Sequence, residues 1–123
     1  MNIPKIHESE YRLCLILWER EPVTAVELAR LCQTRLGWKR TTTYTVIKRL
    51  GEKGVVKNEG GTVTALISKD DVQDHALEEL VEKTFEGSLP AFVAAFARQQ
   101  RLSDGELDEV QRMIDAIRRG EQQ

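Results

Sequence analysis

The spacing of apolar residues changes once within the first half of this chain, and that change restricts the fold most. Up to about residue 53, apolar side chains recur every three or four positions, which predicts amphipathic helices. Two β-prone runs follow at residues 55–59 and 62–67, separated by Gly60-Gly61. Glycine tolerates positive φ at both central positions of a tight turn, so these runs predict an antiparallel hairpin. Helices followed by such a hairpin indicate a winged helix-turn-helix.

Three helices are predicted before the hairpin, at about residues 8–20, 25–36 and 40–53. Thr24 and Glu27, three positions apart, have the form of a capping box that opens the second helix. We therefore expect residues 1–68 to form a winged-helix DNA-binding domain, mainly α with a small antiparallel β wing.

The third predicted helix has a composition that suits a helix poorly. Its buried face is predicted from the spacing of positions 43, 46, 47 and 50. Lys39 and Arg40 stand at its N-terminus, where the helix dipole disfavours each cation by about 0.3–1 kcal/mol. Four threonines follow, and each costs up to about 0.7 kcal/mol relative to alanine. A local rule broken without structural gain indicates a functional surface.

Residues 69–123 contain three further amphipathic patterns, each with one apolar face. Three short helices in so few residues make a poor core by themselves. Burial against a second copy would solve this, so we expect a helical dimerisation module. Its predicted dimer residues are Leu77, Leu80, Val81, Phe85, Phe92, Phe96, Leu107, Val110, Ile114 and Ile117.

Charge is unevenly distributed between the two halves. Residues 1–68 carry eleven Lys and Arg against seven Glu, and residues 69–123 carry seven against thirteen acidic residues. Between Lys39 and Lys57, six basic residues face a single Glu52, which favours a polyanion as partner. We predict that double-stranded DNA is bound, with the third helix in the major groove. The predicted DNA-binding residues are Lys39, Arg40, Thr41, Thr42, Tyr44, Thr45, Lys48, Arg49, Lys53 and Lys57.

Several functional classes find no support in the sequence. It contains no Gly-rich phosphate loop, no zinc-type Cys/His spacing and no catalytic constellation, so we expect neither an enzyme nor a cofactor or metal. The longest apolar run is Leu13–Trp18, and no signal-peptide pattern opens the chain. We expect no membrane partner and a cytoplasmic location.

The motifs together resemble the penicillinase-repressor (BlaI/MecI/CopY-type) family of bacterial transcriptional regulators. The resemblance rests on Leu17-Trp18, on Thr24-Ala25-x-Glu27-Leu28 and on Trp38-x-x-Thr41-Thr42-x-x-Thr45-x-Ile47-x-Arg49-Leu50-x-x-Lys53-Gly54, and it continues through Gly87-Ser88-Leu89 to the last helix. It implies a homodimeric repressor on a palindromic operator. By position, it implies that Thr41, Thr42 and Thr45 face bases while Arg40 and Arg49 hold the backbone.

The chain departs from that family at three places. Many relatives have Ser-Pro where Lys39-Arg40 stand here. Resemblance to the antibiotic-resistance members implies a regulatory protease that cleaves an Asn-Phe bond. This chain has Ala95-Phe96 at that place, so the sequence leaves a protease partner open. Copper-responsive relatives carry paired cysteines near the C-terminus, and no cysteine follows Cys32 here.

Two alternative functions remain open on the sequence. One is a winged helix that binds another protein instead of DNA. The other is a redox-sensing regulator that uses Cys14 or Cys32, although both cysteines lie on core-facing stripes where inert thiols are the more common finding.

Overall fold

The computed structural model of the chain describes residues 2–99 and 102–121. In these ranges the elements are, in chain order, α1 (Glu8–Arg20), β1 (Val23–Thr24), α2 (Ala25–Leu36), α3 (Arg40–Glu52), β2 (Val56–Glu59), β3 (Thr62–Ala65), α4 (Lys69–Thr84), α5 (Leu89–Gln99) and α6 (Asp104–Arg118). The predicted fold class, mainly helical with a small antiparallel sheet, is confirmed. No helix in the described ranges is long and apolar enough to cross a membrane.

Local signals fix the ends of α2. The Thr24 hydroxyl accepts a hydrogen bond from the backbone N–H of Glu27 at 3.1 Å, which is one of the two bonds of the predicted capping box. The Glu27 carboxylate accepts hydrogen bonds from Arg30. Gly37 follows the helix with φ of 71°, a left-handed conformation in which a side chain would be strained. A connection of only three residues, 37–39, therefore leads from α2 into α3.

The sheet has three strands in the order β1-β3-β2, all antiparallel. Gly60 and Gly61, with φ of 61° and 89°, make the predicted tight turn between β2 and β3. The strand β1 was not predicted, because two residues are too few to show an alternating pattern. This strand forms by pairing Val23 with Val63 on the free edge of the hairpin.

The helices α1, α2 and α3 pack with the sheet around one apolar core. The buried face of α3 consists of Thr43, Val46, Ile47 and Leu50, as its spacing predicts. Burying these four residues turns the remaining side of α3 away from the core.

The chain divides into two compact units, one ending at Glu78 and the other beginning at Glu79, so the division falls inside α4. In the second unit α5 and α6 contain no buried residue. Phe85 and Phe92 meet edge to face at 5.6 Å between ring centroids, and Ala95-Phe96 lies inside α5. The assignment of residues 1–68 to DNA binding and 69–123 to dimerisation stays a prediction.

Candidate nucleic-acid interface

The side of α3 opposite the core is open to solvent. Its exposed residues include most of the predicted DNA-binding set, namely Arg40, Thr41, Thr42, Tyr44, Thr45, Lys48 and Arg49. Among the described residues of this unit, none covers Thr41, Thr42 or Thr45, so a ligand can reach their hydroxyl and methyl groups. Thr43 is the exception among the four threonines, because it lies fully buried in the core.

The N-terminus of α3 has no side-chain cap. Lys39 occupies the cap position without a side-chain hydrogen bond, and the first turn contains no acidic residue. At the starts of α2, α4, α5 and α6, by contrast, a hydroxyl accepts a backbone N–H; the four residues are Thr24, Ser68, Ser88 and Ser103. The positive end of the α3 dipole and its N–H groups are therefore open to an anion without competition from a capping side chain.

The hydroxyl of Thr45 is oriented by its own helix. Thr45 Oγ1 donates a hydrogen bond to the carbonyl of Thr41 at 2.9 Å. While that bond holds, the Thr45 oxygen can still accept a hydrogen bond and its methyl group can make apolar contacts. Thr41, Thr42, Thr45 and Arg49 line one shallow depression of this surface.

A groove of about 550 Å³ lies between α3 and the β2–β3 hairpin. Tyr44 and Lys48 line it from the helix, and Lys57 and Asn58 line it from the hairpin. Leu66, which is 56% exposed, also lines the groove, and the sequence analysis did not single it out. Lys57 is paired with Glu59 on the same strand, which reduces the positive charge that the hairpin presents.

Lys53, at the C-terminal end of α3, is held inside its own unit. Its Nζ donates to Glu10 Oε1 at 2.7 Å and to the carbonyl of Lys5 at 2.9 Å, and only 27% of its side chain is exposed. Arg49 lies close by, with Nε 3.9 Å from Glu10 Oε2, but about half of its side chain stays exposed. The predicted contact of Lys53 with DNA stays a prediction, and the structure adds a bond within the protein that the sequence analysis missed.

Glu10, which the sequence did not single out, is the partner of Lys53 and the neighbour of Arg49. Burial alone would raise the pKa of this carboxyl, but hydrogen bonds from Lys53 and from the His7 backbone, together with the Lys53 charge, lower its pKa below 4.5. Glu10 stands three, four and seven positions before Leu13, Cys14 and Leu17, which are all buried. A carboxylate on such a stripe is a signal that could have revealed a buried ion pair.

Both cysteines are buried free thiols. Burial raises the pKa of Cys14 to about 12, and the negative charge of Glu10 contributes in the same direction. Burial also raises the pKa of Cys32, against the opposing influence of Thr43 and Arg35. Thiols of this kind stay protonated at neutral pH and react poorly. No group of three or more His, Cys, Asp and Glu suited to a metal ion occurs within residues 2–99 and 102–121.

Comparison with known proteins gives one consistent result. The sequence profile of the penicillinase repressor family matches residues 6–116. The methicillin resistance regulatory protein MecI of Staphylococcus epidermidis is 22% identical over 90% of this chain and 94% of its own length. The penicillinase repressor of Bacillus licheniformis is 22% identical over 93% of this chain and 92% of its own length.

Solved structures agree at the level of the fold. One is the Bacillus licheniformis BlaI monomeric form in complex with the blaP half-operator, and another is the DNA-binding domain of the repressor BlaI. Each aligns with a TM-score of 0.50 and 24% identity over 57% of this chain and 90% of the solved one. Because the family profile spans nearly the whole sequence, this chain belongs to the penicillinase repressor family, whose members are DNA-binding transcriptional regulators and not enzymes.

Proposed function

We propose that this protein is a homodimeric repressor that binds a palindromic operator, with α3 of each subunit in the major groove. The observation that carries the proposal is the open polar side of α3, where Thr41, Thr42, Thr45 and Lys48 are all exposed. A major groove admits a helix, and threonine side chains can hydrogen-bond to base edges or contact the methyl group of thymine. The composition that suits a free helix poorly is thereby explained.

The electrostatics of α3 and the hairpin support the same orientation. Arg40 at one end of the helix and Lys48 and Arg49 further along present positive charge beside the threonines. The uncapped N-terminus of α3 adds N–H groups that suit a phosphate. Lys57, across the groove from Tyr44 and Lys48, supplies a further backbone contact. These groups hold the duplex, while the threonines read it.

The second unit supports a homodimer. In α6 the residues Leu107, Val110, Ile114 and Ile117 recur at three and four positions and are all exposed. Leu80 and Phe96 are exposed as well, whereas Val81, Phe85 and Phe92 are half-buried. Leu77, also exposed, lies in the part of α4 that belongs to the first unit. Apolar stripes of this extent indicate a partner surface, and a second copy would present the same stripes in return.

The test begins with selection of genomic DNA fragments by the purified protein, followed by affinity measurements on the recovered site and on a random duplex. We expect a palindromic site and a steep salt dependence, since each neutralised phosphate contributes about −0.9 to the slope of log K against log salt concentration. Recovery of no preferred sequence, or binding that ignores salt, would favour the alternative of a winged helix that contacts protein.

Two single substitutions of threonine by alanine then test which side of α3 contacts the bases. Thr45→Ala should reduce discrimination between the recovered site and random DNA by about 1 kcal/mol or more per half-site, and Thr42→Ala should do the same. Thr34→Ala is the matched control, because Thr34 is an exposed threonine of α2 whose hydroxyl likewise donates to the carbonyl four residues before it. Equal loss of specific and random affinity in Thr42→Ala and Thr45→Ala would contradict base reading by these residues.

A further inference from the structure

Glu10 is a carboxylate in an unusual place. It lies on the core-facing side of α1 and its residue is fully buried. An ionised side chain in a core is costly unless opposite charge and hydrogen bonds compensate for the lost water. Its partners therefore indicate what the residue does.

The two oxygen atoms of the Glu10 carboxylate have different partners. Oε1 accepts hydrogen bonds from the His7 backbone at 2.8 Å and from Lys53 at 2.7 Å. Oε2 is buried and accepts no hydrogen bond from any described residue. A guanidinium nitrogen, Nε of Arg49, lies 3.9 Å from it. One oxygen thus anchors the end of α3, and the other is left facing Arg49.

We propose that Glu10 is a positioning residue for DNA binding, which fixes the guanidinium of Arg49 at the edge of the DNA-facing side of α3. This inference rests on the proposed function. Arg49 has a long side chain, and ordering it at the moment of binding would cost affinity. The carboxylate attracts the guanidinium through its charge, at 3.9 Å and without a hydrogen bond, and so holds it nearby before DNA binds. The exposed half of the Arg49 side chain stays open to a phosphate.

A positioning role for Glu10 predicts a change in DNA affinity opposite to the one that its charge alone predicts. Removing a negative charge beside a phosphate-binding arginine should strengthen binding to DNA and steepen its salt dependence. If Glu10 instead positions Arg49, the same removal weakens binding, although the protein becomes more positive. The sign of the change therefore separates the two roles.

The experiment compares Glu10→Gln with Glu8→Gln in the full chain, using the recovered DNA site and a random duplex at several salt concentrations. Both variants remove one carboxylate from α1, but Glu8 is exposed and paired with Arg12. We expect Glu10→Gln to lose about five- to tenfold in affinity for both duplexes, as for loss of a charge-assisted contact. Glu8→Gln should bind as the wild type does or slightly more tightly. In an Arg49→Ala background, Glu10→Gln should have no further effect on affinity, which a general loss of folding would not reproduce.

Arg49→Lys tests the same idea without disturbing the core, because Arg49 is half exposed. It keeps the charge but lacks Nε, so we expect a loss of about threefold or more in affinity. Wild-type affinity in Arg49→Lys, or unchanged or tighter binding by folded Glu10→Gln, would overturn the inference while leaving the proposed function intact. A wild-type protein that binds no DNA would overturn both.

Discussion

The indole Nε1 of Trp18 donates a hydrogen bond to the carbonyl of Ile67 at 3.0 Å and so joins α1 to the segment that follows the hairpin. Ile67 is itself buried, and Tyr11 contacts Trp18 edge to face at 5.8 Å between ring centroids. This bond secures the point at which the chain leaves the sheet and enters α4.

Trp18→Phe should therefore destabilise the first unit. The substitution leaves the Ile67 carbonyl without its donor, and we expect a loss of about 1–2 kcal/mol in the free energy of unfolding. Denaturant unfolding followed by circular dichroism measures it. Trp38→Phe makes the same change in a side chain that also packs on this core. A Trp18→Phe loss no greater than that of Trp38→Phe would contradict a structural role for the hydrogen bond.

The ion pair of Glu10 and Lys53 predicts a pH dependence of stability. Because the pKa of Glu10 is lower in the folded protein than its ordinary value of 4.5, its stabilising contribution is complete above that pH and is lost as the pH falls below it. We expect the difference in unfolding free energy between wild type and Glu10→Gln to be constant near neutrality and to shrink in acid. Taking this difference cancels the surface carboxylates Glu19 and Glu27, whose pKa values the hydrogen bonds of Arg35 and Arg30 also lower. A difference that grows as the pH falls would show that the ionised form of Glu10 is not the stabilising one.

The burial of both cysteines argues against the alternative hypothesis of a redox-sensing regulator. The reactivity of the two thiols can be measured. Burial raises the pKa of Cys14 to about 12 and also raises that of Cys32, so the thiolate fraction of each is very small at neutral pH. We expect a thiol reagent such as dithionitrobenzoate to react with the native protein only at the rate at which the first unit opens, and quickly after denaturation. Fast labelling of one thiol in the native state would restore the redox alternative.

The sequence predicted those parts of the fold that depend on neighbours along the chain. The spacing of Thr43, Val46, Ile47 and Leu50 identified the buried face of α3, and Gly60-Gly61 identified the hairpin turn. Once the buried face of α3 is known, the exposure of Thr41, Thr42 and Thr45 can be predicted, because these residues lie on the opposite side of the helix. Local pattern therefore sufficed for the candidate interface on α3.

Contacts between distant positions were beyond such reasoning. Lys53 and Glu10 are 43 residues apart, and nothing near Lys53 distinguishes an inward-facing ammonium from one that contacts phosphate. The same holds for β1, whose two residues become a strand only because β3 offers an unpaired edge. Leu66 was missed because a hairpin residue is recognisable as part of a groove only once α3 is placed beside it.

The exposed stripe of α6 leads to a prediction about assembly. Ile117 is 73% exposed and continues the row formed by Leu107, Val110 and Ile114. Ile117→Asp would place a charge inside an interface formed by this row, so we expect the dimer dissociation constant to rise about ten- to a hundredfold. Sedimentation equilibrium measures this constant. Val26→Asp is the matched control, since Val26 is 62% exposed on α2 and belongs to neither predicted surface.

The same variant should separate binding to one half-site from binding to two. A dimer binds its second half-site at the high effective concentration that the first contact provides, whereas a monomer gains no such advantage. We therefore expect Ile117→Asp to lose affinity for the full palindrome while retaining wild-type affinity for an isolated half-site. Equal affinities of Ile117→Asp and wild type for the full palindrome, with an unchanged dissociation constant, would place the dimer interface away from the α6 stripe. Loss of half-site affinity would instead mean that α6 supports the DNA-binding unit itself.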